Sequence, residues 1–419
     1  MPLRIKESPK KGKSPVSEGK SPVSAGATAD CIFHQDIMLC ILKRLPVKSI
    51  LRFKSVCKPW LDLFSTRDFV KMHKNHFSIH PSVIIQSGPD GRTMFLLNIE
   101  SDEKKPTILD HPRPGSTYPM DILGCCNGLI CMGRAGFVLW NPAMKSFKFV
   151  PPSENVAFTD PEDLSLGFGY DAEGDDFKVV ILRYFDARGV EVYSVNADSW
   201  ITIDPGFQFS VVHKTNNVIV NGNPYWVADV DGIHSLVWFD VRRMVFKVVP
   251  LATDDFHVPE MAHVLVDWEG SLGVLVSNRE REGVECFDIW VFDDGAQIWR
   301  KDHSVGPIVG LDVSWYLPLS SNNGKVIGLC PPDNLFVYDP NTKRAKVFDV
   351  QPWHRRISPC IYAESLTCIK GMRPVQLKRG GRGRRSILGI KLSSLWTFGP
   401  FAKDIVCFCI FNGFSYGTV

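Results

Sequence analysis

Two hydrophobic rhythms divide this chain. Between residues 31 and 76, apolar residues recur three and four positions apart: Ile37, Ile41 and Leu42, then Val47, Ile50 and Leu51, then Phe53, Val56, Cys57 and Trp60. That spacing puts each set on one side of a helix. Leu45-Pro46 interrupts the first run, because proline lacks an N–H and starts helices better than it continues them. A new helix is therefore expected with Pro46 near its first turn. The pattern predicts two or three short helices in close succession. A unit this small cannot bury so many apolar side chains alone, so much of this surface is expected to meet another protein.

From residue 83 to residue 350 the rhythm changes to short alternating strands separated by turn residues. These strands repeat. LWNPAMKSFKFVP (139–151), VYSVNADSWITI (192–203), WFDVRRMVFKVVP (238–250), VFDDGAQIWRK (291–301) and VYDPNTKRAKVFDV (337–350) each run from an apolar-aromatic pair through a polar turn into a strand. Their anchors Trp140, Tyr193, Phe239, Phe292 and Tyr338 are spaced 53, 46, 53 and 46 residues apart. The turn glycines Gly128, Gly174, Gly222, Gly270 and Gly324 are spaced 46, 48, 48 and 54. Two markers thus share a period near 50, which is the kelch-like signature of a β-propeller blade. DGRTMFLLNIESDEKKPTIL (90–109) reads as a weaker first unit, giving about six blades, and IYAESL (361–366) as the strand that closes the ring. The anchor aromatics are expected between blades, as core.

Charge changes the reading at the two ends. The formal net charge is +3, but residues 1 to 22 and 370 to 391 are strongly basic, leaving the body between them acidic. Residues 1–29, rich in Lys, Ser and Pro with the repeat GKSPVS, are too polar to pack and are read as a disordered tail. Ser8, Ser14 and Ser21 each precede Pro and could accept phosphate or stay unmodified. Twelve cysteines without a CxxC pair are read as reduced, mostly buried thiols. The N-terminus lacks an apolar signal core, no run of 18 apolar residues occurs, and no N-x-[ST] sequon is present. An intracellular protein of the cytoplasm, the nucleus or both is expected, with no membrane partner.

RLPVKSILRFKSVCKPWLDLFSTRDFVKMH, from Arg44 to His73, resembles the F-box of plant F-box proteins nearly position by position. The opening departs from that pattern, with Phe33-His34 for the usual Leu-Pro and Cys40 for the usual Glu. GCCNGLICM with LWNP, then GFGYD with DDFKVV, is similar to the F-box-associated interaction domain. The resemblance implies a non-catalytic substrate receptor of an SCF-type ubiquitin ligase. Its F-box would dock a Skp-type adaptor through Phe33, Ile37, Ile41, Leu42, Leu45, Pro46, Leu51 and Trp60, and reach a cullin and a RING subunit through that adaptor. Lys48, Arg52, Lys54 and Lys58 would form a solvated side or a rim facing an acidic adaptor. Nucleic-acid binding by this basic stretch is the runner-up.

The expected layout is a small α module before a mainly β fold: tail 1–29, F-box 30–76, kelch-like propeller 83–366 and an atypical tail 367–419. Target recognition is expected in loops that vary between repeats, through Glu162, Phe256, Arg279, Trp315 and Tyr316. No GxSxG, HExxH or GxxxxGK[ST] motif occurs, and no cofactor is expected. His73, His76 and His80 form the most suggestive metal pattern, against an ordinary histidine cluster. KRGGRGRR (378–385) could bind RNA or an import receptor, or belong to an extension outside the domain. A stand-alone propeller interaction protein and a propeller enzyme remain the alternative functions.

Overall fold

Four short helices come first: α1 (Gln35–Leu42), α2 (Val47–Phe53), α3 (Lys58–Leu63) and α4 (Arg67–Phe77). The computed structural model describes residues 35–77, 82–87, 93–100, 106–112, 120–133, 136–153, 163–183, 189–212, 218–251, 264–277, 284–309, 320–322, 325–330, 334–348 and 358–375. The expected N-terminal tail and the KRGGRGRR stretch lie outside them. Residues up to Arg373 form one compact unit.

After the helices the chain builds six blades of antiparallel strands, the last two also joined by one parallel pair, Trp268 opposite Ser321. The first holds β1 (Ser82–Ser87), β2 (Thr93–Asn98) and β3 (Thr107–Leu109). The second holds β4 (Asp121–Cys126), β5 (Leu129–Gly133), β6 (Phe137–Asn141) and β7 (Ser146–Val150), with the two-residue β26 (Arg373–Pro374) added beside β7 from the end of the chain, and the third β8 (Leu164–Asp171), β9 (Asp176–Arg183), β10 (Val190–Ser194) and β11 (Ser199–Ile203). In the fourth, two short pieces, β12 (Ser210–Val211) and β13 (Val218–Val220), share one partner, β14 (Asn223–Val230), followed by β15 (Ile233–Asp240) and β16 (Val245–Pro250). The fifth contains β17 (Val264–Trp268), β18 (Ser271–Ser277), β19 (Val284–Asp293) and β20 (Ile298–Val309). The sixth contains β21 (Ser320–Asn322), β22 (Lys325–Cys330), β23 (Asn334–Asp339) and β24 (Arg344–Phe348). Finally β25 (Ser358–Tyr362) returns to the first sheet and pairs antiparallel with β1, from Ser82 opposite Tyr362 to Gln86 opposite Ser358. Successive blades lie beside one another through β25 and β4, β4 and β8, β8 and β14, β13 and β17, and β17 and β21. The result is a six-bladed β-propeller, as the period predicts; the strand that closes it is β25, which starts earlier than the expected IYAESL and shares only Ile361 and Tyr362 with it.

One expectation needs correcting. The middle strands do not alternate: β5 (LICMG) and β6 (FVLWN) are buried at every position. Each blade is packed face to face against a blade on either side, so both faces of its middle strands leave water. One cluster joins Leu139 and Cys131 of the second blade to Phe168 and Tyr193 of the third, and another joins Val192 to Phe239 and Trp226. Phe292 with Trp238, Tyr338 with Val266, and Val337 with Val83 continue the series around the ring. The five anchor aromatics sit on the third strand of their blades and are all buried.

The residue after each anchor explains the other half of the repeat. Asn141, Ser194, Asp240, Asp293 and Asp339 begin four-residue turns, and their side-chain oxygens accept the backbone N–H of Met144, Ala197, Arg243, Ala296 and Asn341 at 3.1, 3.1, 2.9, 3.0 and 2.9 Å. Such short polar side chains close turns on their own backbone. Each turn ends in a left-handed residue, Lys145, Asp198, Met244, Gln297 or Lys343, five positions beyond its anchor. The first hairpins of three blades use Asn127-Gly128, Asn221-Gly222 and Glu269-Gly270, with positive φ at both residues, the two-residue turn that matches strand twist. Gly324 lies outside the described residues.

Two stability predictions follow from these turns. At Gly222 (φ +81°) the carbonyl accepts the Tyr170 N–H at 2.8 Å, and a Cβ would press into the Tyr170 carbonyl oxygen. At Gly232 (φ +80°) a Cβ meets nothing. Gly232→Ala should cost about 1 kcal/mol for the left-handed backbone alone, and Gly222→Ala about 3 kcal/mol, read from urea unfolding curves. Asn141 differs from the aspartates at the matching positions because its buried Nδ2 also donates to the carbonyls of Ser365 and Thr367, at 3.0 and 2.8 Å. Asn141→Asp keeps the turn acceptor but sets a carboxylate against two carbonyls. It should destabilise at least as much as Asn141→Ala, roughly 3 kcal/mol, in the same assay.

Candidate functional site

Proline placement sets the helical module. Pro46 adopts φ −55° and ψ 148°, and α2 starts at the next residue; Pro59 lies in the first turn of α3. Leu42, Val47, Ile50, Phe53, Trp60, Phe64 and Phe69 form the module's own core. Its rings meet edge to face in a chain, Phe53 to Trp60 at 5.2 Å, Trp60 to Phe64 at 5.8 Å and Phe64 to Phe69 at 5.0 Å between centroids. His73 closes the chain. It is fully buried and its Nε2–H donates to the Leu45 carbonyl at 2.9 Å. Burial lowers its pKa, and through Leu45 the ring ties α4 to the junction between α1 and α2. His80 lies outside the described residues.

The docking residues expected from the sequence separate into two groups. Ile37 is 52% exposed, Pro46 is exposed, and Ile41, Leu45 and Leu51 are half-buried, so these reach the surface. Leu42 and Trp60, exposed by only 1% and 4%, do not; they shape the surface from beneath, because the same helical spacing that makes a docking face also makes a core. Phe33 lies outside the described residues. Leu61 and Met72 are exposed apolar residues that the periodicity misses, since they fall outside its stripes, and Val56 joins them. In the same module Arg44, Lys48, Arg52 and Lys58 are exposed, while the half-buried Lys54 has its pKa lowered by burial. Exposed apolar and basic side chains on one small module suit a partner that offers apolar and acidic groups.

The module sits on the propeller through contacts between distant parts of the chain. The Val47 N–H donates to Glu364 Oε2 at 3.3 Å. Arg67 Nε lies 3.4 Å from Asp175 Oδ2, and Lys74 Nζ stands 5.8 Å from the centre of the Tyr170 ring, whose hydroxyl donates to Asp175 Oδ1 at 2.6 Å. Burial lowers the Lys74 pKa and raises that of Tyr170, with Asp175 adding to the second effect. Burial also raises the Glu364 pKa, against the opposing effect of the Val47 N–H. Sequence periodicity holds no signal for these pairs. Tyr170 and Asp175 lie where the first strand of the third blade hands over to its second, and Glu364 lies just past the end of β25 that pairs with the start of β1.

Alternation of strand direction places the other candidate loops. Residues 151–163, 253–261 and 310–318 join the last strand of one blade to the first of the next, and 277–285 joins a second strand to a third. The strand ends they connect are therefore at the opposite end of the blades from the helical module. Glu162, Phe256, Arg279, Trp315 and Tyr316 themselves lie outside the described residues.

The thiols are less buried than expected. Among the described residues only Cys131 and Cys360 are fully buried; Cys40 and Cys368 are exposed and Cys57, Cys125, Cys126 and Cys286 are intermediate, because strand ends and turns hold several of them. Contact with Cys360 and burial push the Cys125 thiol well up, and burial pushes Cys126 up to about 12, so both are protonated and poor nucleophiles. No group of three potential metal ligands occurs among the described residues. No described helix is long and apolar enough to cross a membrane.

Comparison with known proteins meets this geometry at both ends. Residues 33–72 match the F-box domain and residues 83–369 the F-box associated beta propeller domain. The chain is 30% identical over 261 residues to the F-box protein At3g08750 of Arabidopsis thaliana, covering 59% of this chain and 66% of that protein. It is 30% identical over 225 residues to the putative F-box only protein 15 of the same plant, covering 50% and 56%. With the putative F-box/kelch-repeat protein At1g12170 of Arabidopsis thaliana it shares 26% over 289 residues, covering 62% and 76%. The chain thus spans two-thirds or less of the first two relatives. Helical module and closed propeller together make this chain a member of the plant F-box proteins that carry an F-box-associated β-propeller.

Proposed function

We propose that this chain is the substrate-receiving subunit of an SCF-type ubiquitin ligase in the cytoplasm, the nucleus or both. The helical module docks a Skp-type adaptor, and through it a cullin and a RING subunit, while loops at the far end of the propeller hold the target. The observation that carries this reading is the division of the molecule. Ile37, Val56, Leu61 and Met72 expose apolar area on a module that has already filled its own core, and that module sits at one end of the blades. The variable connections join strand ends at the other.

Such a receptor contributes proximity rather than bond chemistry. Holding a target lysine beside a charged ubiquitin carrier raises the effective concentration of the reactants, and the covalent steps occur on other subunits. The chain's own residues need only bind at two separated surfaces.

Binding of the full chain to a recombinant Skp-type adaptor tests the reading. Ile37→Asp with Pro46→Ala alters two exposed positions and should leave the circular dichroism unchanged. Loss of about 2 kcal/mol of interface energy, typical of a hot spot, would raise the Kd at least roughly tenfold. Equal binding by wild type and variant would defeat the assignment and leave a stand-alone propeller interaction protein.

A further inference from the structure

The segment after β25 is held on one side and holds on the other. Its Ser365 and Thr367 carbonyls accept from Asn141, and Thr367 Oγ1 donates to the Asn127 carbonyl at 3.0 Å. Ser365 fits against Gly128, where any Cβ would collide with it. Ile369 and Met372 pack on the cluster between the second and third blades. Glu364, between these anchors, accepts the Val47 N–H. The opening N–H groups of a helix have no partner within it, and Pro46 supplies no side-chain cap to α2. The propeller supplies an acceptor there.

We propose that residues 363–369 are a bracket that couples closure of the ring to seating of the helical module, with Glu364 as the positioning residue. One residue, Ala363, separates Glu364 from the end of the closing strand at Tyr362, whose hydroxyl in turn accepts the Ala143 N–H at 3.2 Å. The bracket exists in this form only once β25 has paired with β1. Arg67 and Lys74 then steady α4 against the third blade. If the receptor reading holds, this bracket also sets the distance from adaptor to target; the coupling itself does not depend on that reading.

Hydrogen exchange on the full chain, without any adaptor, tests the coupling. In Glu364→Ala, peptides of α2 and of α4 should exchange roughly tenfold faster, the scale set by losing one charge-assisted bond, while peptides of β5 and β6 keep their wild-type rates. Glu364→Gln retains a carbonyl oxygen for Val47 and should restore the rates. Faster exchange confined to residues 363–369, with α4 unchanged, would overturn the proposal, since a purely local role predicts that outcome. Should Glu364→Ala fail to fold, Val47→Pro removes the donor at a first-turn position that suits proline. Unchanged exchange in α4 of that variant would equally overturn it. Failure here leaves adaptor binding untouched, and failure of adaptor binding leaves this result standing.

Discussion

The pairing of β25 with β1 is the constraint on which the remaining structure depends. A propeller blade has no stable face of its own: its middle strands are apolar on both sides and need a neighbour on each. Within a row of blades only the two ends lack a neighbour. Bringing Ser82 opposite Tyr362 removes both ends at once, and it also removes the strand edges through which open sheets pair with other chains. The polar work of closure is done by few groups. Asn141 and Thr367 satisfy carbonyls that lie outside any strand ladder, and so let the chain pass from the closing strand across the second blade.

How legible this was depended on whether the cause was local. The turn after each anchor aromatic is made by one Asn, Ser or Asp acting on its own backbone, and the first hairpins by Asn-Gly or Glu-Gly, so both markers and their period could be read from the chain. The break at Pro46 was equally local. Burial on both faces of β5 and β6 was not, because it comes from neighbouring blades. Nor could spacing tell that Trp60 belongs to the module's core while Ile37 belongs to its surface, since both sit on apolar helical stripes. Glu364 gave no sign of its partner: the hydrogen bond to Val47 spans 317 positions.

The helical module and the propeller meet through a few polar contacts between distant parts of the chain. The described thiols near their junction are held protonated by burial, and the buried histidine is engaged with a carbonyl. What the fold sets apart are the helical module, with its exposed apolar and basic side chains, and the strand ends at the opposite end of the blades, where one blade passes to the next. A rigid scaffold with variable connections at one end allows recognition to change without disturbing the core that carries it.

The order in which the strands are made gives the closed ring a history. On the ribosome β1, β2 and β3 emerge directly after the helices, yet the strand that completes their sheet, β25, is the last but one of the twenty-six described strands to be synthesised. Blades three to six can each assemble from consecutive chain as it appears, and so can the four main strands of the second blade, which gains only the two-residue strand Arg373–Pro374 from the end of the chain. The first blade cannot: throughout elongation it offers an unpaired edge at Ser82–Gln86, and α2 waits for Glu364. A nascent chain of this protein therefore spends most of its synthesis with one open seam, which is where a chaperone would have reason to hold it and where a premature stop would do the most damage.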